Sequence, residues 1–310
     1  MDATPAFPLR ALGIGEIFDR AVTIYVRNFV VFTLMVLTLL APYSVVEYFA
    51  IPDSGASFAK TIDTIQHPEK HAKDSTMPPA TLSVIIAAVL VLVLFSPFVA
   101  SAVAFGVAAV YQGKRPDYLA SFSAVFRRWL TILGTALVEM LVLFGTYTAM
   151  AVVVAIAVVV AALAVRPALP VAIALFALAA VLLLGTILIL LVLLLNYIFA
   201  TYAATLENVN VGGAIASGFR RIFNKKEFGK ALLMGLAYLA LQLGVLTLSG
   251  TIGVVLLYVV KNYALQLAVS AVISSALTAF LSIVVAVYYY DVRTRAEGLD
   301  LEDDLRRLTS

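Results

Sequence analysis

Six long apolar runs, at about 29–50, 81–111, 130–165, 170–205, 230–259 and 264–290, are separated by loops whose cations fall on alternate sides. A bilayer hydrocarbon core about 30 Å thick needs about 20 apolar residues in a helix, and each run is long enough. The runs are continuously apolar, whereas a spanning barrel strand is about ten residues long and alternates strictly, so they read as helices. Hydrophobic residues make up 63% of the chain and charged residues 13%, with a mean hydropathy of +1.04. That is more apolar surface than a soluble core can hide, so lipid must cover the rest. The longest polar stretch, Ile51 to Ala80, is too short to fold by itself. The expected architecture is all-α, a single polytopic membrane helix bundle.

Lys and Arg set the expected orientation. One side of the six spans carries Arg10, Arg20, Arg27, Lys114, Arg115, Arg127, Arg128, Arg220, Arg221, Lys225, Lys226, Lys230, Arg293, Arg295, Arg306 and Arg307. The other carries only Lys60, Lys70, Lys73, Arg166 and Lys261. The positive-inside rule then places both termini in the cytoplasm, and a bacterial plasma (inner) membrane is the expected location. Met1 to Gly13 lacks the basic, apolar and small-residue regions of a cleaved signal, so the first span is expected to direct insertion. The net charge of +3, spread over helix ends, suits anionic lipid headgroups and not nucleic acid.

Spans three and four, each about 36 residues, would be about 54 Å long, well beyond the hydrocarbon core. No polar turn divides them at Gly145 or Gly185, so two long helices are expected, meeting at Arg166-Pro167-Ala168-Leu169-Pro170.

A threefold pattern underlies the runs. Before the first, third and fifth spans lies a short amphipathic stretch ending in basic and aromatic residues. In the first, Ile14, Ile17, Phe18, Ala21, Val22, Tyr25 and Phe29 share one face opposite Glu16, Asp19, Arg20, Thr23 and Arg27. The second sets Leu119, Phe122, Val125, Phe126 and Trp129 against Ser121, Arg127 and Arg128. The third sets Val211, Ala214, Ile215, Phe219, Ile222 and Phe223 against Arg220 and Arg221. Three units are expected, about 14–111, 115–207 and 208–290, each an interfacial helix followed by a helical hairpin, with a cytoplasmic tail at 291–310. The cations at these collars, Arg20, Arg27, Arg127, Arg128, Arg220, Arg221, Lys225 and Lys226, are candidates for lipid headgroups, with aromatics as anchors.

Leu12-Gly13-Ile14-Gly15-Glu16-Ile17-Phe18-Asp19-Arg20, continuing to Tyr25-Val26-Arg27-Asn28-Phe29, resembles the amino-terminal signature of the glycerophosphoryl diester phosphodiesterase membrane-domain family. Tyr289-Tyr290-Asp291-Val292-Arg293-Thr294-Arg295-Ala296-Glu297-Gly298-Leu299-Asp300 is similar to that family's ending, except that Ala296 stands where a basic residue is common. The resemblance implies a six-span membrane domain without the catalytic barrel, whose roughly 250 residues have no counterpart here.

Polar residues within the spans are few. Glu139 is the acidic residue placed well inside one, about 15 Å along a helix from Trp129. It is either a proton or cation group or a carboxyl that hydrogen-bonds helices together. Asn196, Gln242 and Gln266 are its possible polar companions, while Ala104, Ala108, Gly244, Ser270 and Ser274 suit close helix packing. Ser249-Gly250-Thr251-Ile252-Gly253 is either a helix break of the kind transporters use or a packing notch. His67 and His71, four apart in a polar loop, are a weak metal pair, lacking the Glu spacing and third ligand of a zinc protease. Without cysteine, disulfides and thiolate chemistry are excluded. No catalytic constellation or cofactor motif appears. The tail mixes Arg and acidic residues with a leucine stripe; it either folds onto the collars, docks a partner or ends in solvent. Two functions compete: a lipid-engaging scaffold or accessory subunit with membrane-complex partners, and a transporter for a small or amphiphilic solute.

Overall fold

The computed structural model describes residues 10–50, 79–165, 168–224, 227–259 and 263–297. These form nine helices and no strand: α1 (Ile14–Arg27), α2 (Phe29–Ala50), α3 (Pro79–Tyr111), α4 (Tyr118–Phe126), α5 (Trp129–Ala164), α6 (Leu169–Leu206), α7 (Val211–Ile222), α8 (Phe228–Val259) and α9 (Tyr263–Glu297). The order is short, long, long, three times over. All six long helices contain a stretch apolar and long enough to cross a bilayer, so the chain is a multi-pass membrane protein. α5 and α6 run unbroken through Gly145 and Gly185. α9 departs from expectation by continuing to Glu297, past the expected end of the span at 290. Asp291 and Arg295 pair one helical turn apart, at 3.1 Å, so charge does not end the helix there.

Helix contacts divide the chain into two compact units, Met1–Arg127 with Leu239–Ser310, and Arg128–Tyr238. In the first, α2 packs against α9 and α3, α1 lies on α9, and α4 lies on α3. Phe32, Met35, Val103, Val107, Ala279 and Ile283 fill its core. Between helices in lipid the gain comes from close van der Waals packing, because hydrocarbon is as apolar as the core. The close approach of α2 and α3 depends on Gly106: a Cβ there would stand 2.8 Å from the Phe32 ring.

The short helices have local causes. α3 ends where Gly113 takes φ 74°, a left-handed conformation suited to glycine, and the Lys114 N–H returns to the Ala109 carbonyl at 2.9 Å. Asp117 then caps α4, accepting the Ala120 N–H at 2.6 Å. At α1, Glu16 accepts the Gly13 N–H at 2.8 Å and the Arg10 guanidinium at 2.6 Å. Arg10, followed by the Gly13 N–H, holds the Glu16 carboxyl below the usual carboxylate range. This staple is therefore intact at neutral pH and is lost as pH falls through that lowered value.

In the second unit α5 and α6 form an antiparallel hairpin, and α7 packs on both. Ala161, Ala172, Ala179 and Thr186 are buried along the hairpin seam, where small side chains let two backbones approach. Nearer the other end α6 is buried nearly all round from Leu191 to Thr205. The remaining faces expose large apolar residues such as Leu141, Phe144, Val181 and Leu184, as lipid contact requires.

Candidate functional site

Two polar loci stand out in the second unit. The first is Glu139, 2% exposed, on α5. The Asn196 side-chain N–H of α6 donates to its carboxylate at 2.5 Å. Asn196 is fully buried, and Gly218 of α7 closes on it: a Cβ at Gly218 would overlap the Asn196 carboxamide and lie 3.2 Å from its backbone carbonyl. Two residues ten positions from the ends of their helices thus form one interhelical hydrogen bond, with a glycine of α7 as the lid. Asn196→Leu should cost about 2 kcal/mol by leaving the Glu139 carboxyl without that donor. A double-mutant cycle with Glu139→Leu, read by unfolding in detergent, should return a coupling of about 1 kcal/mol; strictly additive losses would show that the bond holds nothing together.

The second locus is the end of α6. Arg128 donates to the carbonyls of Ala204 and Thr205 at 3.2 and 3.3 Å, to the Glu207 carbonyl, and to the Asn208 side chain at 2.6 Å. It satisfies the helix-end acceptors and sits at the negative end of the helix dipole. Arg221 of α7 pairs with Glu207 at 2.6 Å, with side chains 7% and 13% exposed.

The first unit has a related inward arginine. Arg20 of α1 is 9% exposed, within 3.4 Å of the Tyr111 hydroxyl and 5.6 Å from that ring's centre, and Tyr111 stacks on Tyr290 at 4.7 Å. Beside it, the Leu12 N–H donates to Asp291 at 2.6 Å and Arg295 donates to the Leu12 carbonyl at 2.8 Å. The residue before α1 and the last turns of α9 are therefore clamped together. Asp291 is buried at the junction instead of opening a solvated tail.

The eight collar cations consequently divide. Arg27, Arg127 and Arg220 are exposed. Arg20, Arg128 and Arg221 are engaged by protein partners. Lys225 and Lys226 lie outside the described residues, as do His67 and His71. The amphipathic faces shift accordingly. α1 buries Ile17, Arg20, Ala21 and Ile24. α4 buries Ser121 with Val125 and exposes Leu119 and Phe126. Gln242 is exposed on α8 and joins no buried polar group, and Gly244 meets nothing that a Cβ would touch. α8 runs through Ser249–Gly253 without a break, and the Gln266 amide donates to the Gly253 carbonyl at 3.2 Å.

The sequence profile of one family, Domain of unknown function (DUF8558), matches residues 1–210, about two thirds of the chain. The chain belongs to this family. The match ends at Asn210, the residue that caps α7 by accepting the Gly213 N–H at 2.8 Å, so it spans the first two short–long–long triplets. No curated protein and no solved structure matches. In this DUF8558 protein, sequence reasoning missed Gly218 and the clamp on Leu12. A glycine inside a helix costs about 1 kcal/mol relative to alanine, and that cost was the available signal for a close approach.

Proposed function

We propose that this DUF8558 protein is a non-enzymatic lipid-engaging scaffold or accessory subunit of a bacterial plasma membrane, with both termini cytoplasmic. The carrying observation is the repeated division of the collars. Each has an arginine turned inward to hold the fold and an arginine left exposed among apolar or aromatic side chains. Arg27 lies between Val26, 68% exposed, and Phe29; Arg127 lies between Phe126, 64% exposed, and Trp129; Arg220 is followed by Phe223, 58% exposed. Two spans separate successive collars, so all three fall on the same side of the membrane. Guanidinium beside an aromatic anchor is the combination that engages anionic headgroups at an interface.

The transporter reading depends on Glu139. That carboxyl is buried and engaged by Asn196, and the glycine-rich stretch of α8 is regular helix; both features weigh toward a structural role for these residues.

The test is mass spectrometry of lipids retained after gentle purification from mixed anionic and zwitterionic bilayers. Each exposed arginine near a surface contributes about 1 kcal/mol, or about fivefold in affinity. The triple variant R27Q/R127Q/R220Q should lose most of the anionic enrichment of the wild type. An unchanged lipid profile would refute the reading, and solute uptake into vesicles that depends on Glu139 would replace it with transport.

A further inference from the structure

One face of α2 is hollowed along most of its length. Leu34, Leu37, Thr38, Ala41, Ser44 and Tyr48 follow helical spacing on that face. The hollow between α2 and α9 has a volume of about 390 Å³ and reaches from Leu37 to Tyr48; a second, of about 310 Å³, reaches from Leu34 to Tyr118 of α4. Both are bounded by Leu37 and Ala41, so they form one trench, and all its walls belong to the first unit. Leu34 and Tyr48 lie fourteen residues apart, about 21 Å along the helix.

We propose that this trench holds one acyl chain of an anionic phospholipid, with the phosphate at the α4 end. Its apolar walls lie mostly inside two membrane-spanning stretches, Phe29–Val46 and Ala264–Ala296, so hydrocarbon surrounds the opening, and an apolar hollow there does not hold water. Charge selects the end. Tyr118, whose hydroxyl meets Thr38 at 2.7 Å, is preceded by the exposed cations Lys114 and Arg115. The nearby Asp117 is occupied in capping α4. A phosphate diester at the α4 end therefore has two exposed cations, Lys114 and Arg115, to meet it. The assignment rests on the lipid-engaging reading but names a different site from the exposed collar arginines.

The experiment uses the full chain in nanodiscs of phosphatidylcholine containing a small fraction of phosphatidylglycerol with a diazirine in its acyl chain. Irradiation and peptide mapping locate the label. Label should concentrate on 34–48 and 264–272, and Ala41→Trp or, from the opposite wall, Ala268→Trp should lower it there about fivefold. Label at Leu246, a lipid-facing residue of α8, should not change in either variant. Lys114→Gln with Arg115→Gln should lower labelling by the phosphatidylglycerol probe and not by the corresponding phosphatidylcholine probe. Label spread in proportion to exposure overturns the trench, and so does an unlabelled trench in the wild type, the result if a protein segment fills it. Equal labelling by the two headgroups overturns the charge assignment. Trench label that survives R27Q/R127Q/R220Q while bulk anionic enrichment persists in that variant would sink the collar reading alone; trench label absent while collar-dependent enrichment remains would sink this proposal alone.

Discussion

Replacing Gly218 with leucine is expected to cost about 3 to 5 kcal/mol and to loosen the packed half of the α5–α6 hairpin. Overpacking in a close-packed interior usually costs about 1 to 3 kcal/mol, and this position has less room than most. The new Cβ would overlap the Asn196 carboxamide and meet the Asn196 carbonyl at 3.2 Å. Asn196 has nowhere to go: it is fully buried and bound to Glu139. The backbone of α7 must move away instead, taking Ser217, Arg221 and Ile222 of the same buried face with it. Gly218→Ala should show a smaller loss in the same direction. Gly250→Leu is the matched control, since a Cβ there has no neighbour within 4 Å. Denaturant unfolding in detergent, followed by circular dichroism, checks the series. Equal stability of the two leucine variants would show that α7 does not seal the Glu139–Asn196 pair.

Arg221→Met is expected to destabilise the second unit by about 3 to 5 kcal/mol, because it breaks a buried ion pair from one side. The Glu207 carboxylate, 13% exposed, would keep its desolvation penalty and lose a guanidinium at 2.6 Å. A double variant, Arg221→Met with Glu207→Met, should recover most of the loss, since a buried pair replaced as a whole by apolar side chains is often near neutral. Arg220→Met, at the exposed neighbouring position, should change stability by less than about 0.5 kcal/mol while weakening anionic-lipid retention. The same unfolding measurement separates the two arginines, and similar losses from both would erase the distinction between inward and outward collar residues.

Much of the fold is legible along the chain. The runs expected at 130–165 and 170–205 are helices at Trp129–Ala164 and Leu169–Leu206, because a bilayer imposes a length and an apolarity that no other environment imposes together. The three short amphipathic helices also appear where aromatic and basic residues alternate at helical spacing. The end of α9 was less legible, because Asp291 and Arg295 look like the start of a polar tail until their pairing is known. For the candidate site, Glu139 and Asn196 could each be picked out by polarity alone. Their partnership and the role of Gly218 could not, since 57 residues separate the first two and a glycine has no chemistry to announce.

Linear order carries the segment lengths, the number of spans and the side on which cations accumulate, since lipid reads these one helix at a time. Which face of each helix meets another helix was decided by packing. In a bilayer the lipid-facing and protein-facing sides are equally apolar, so composition does not tell them apart. Arg20 and Arg221 show the consequence: each belongs by sequence to a basic collar, yet each lies buried because the fold brings a tyrosine ring or a carboxylate to meet it.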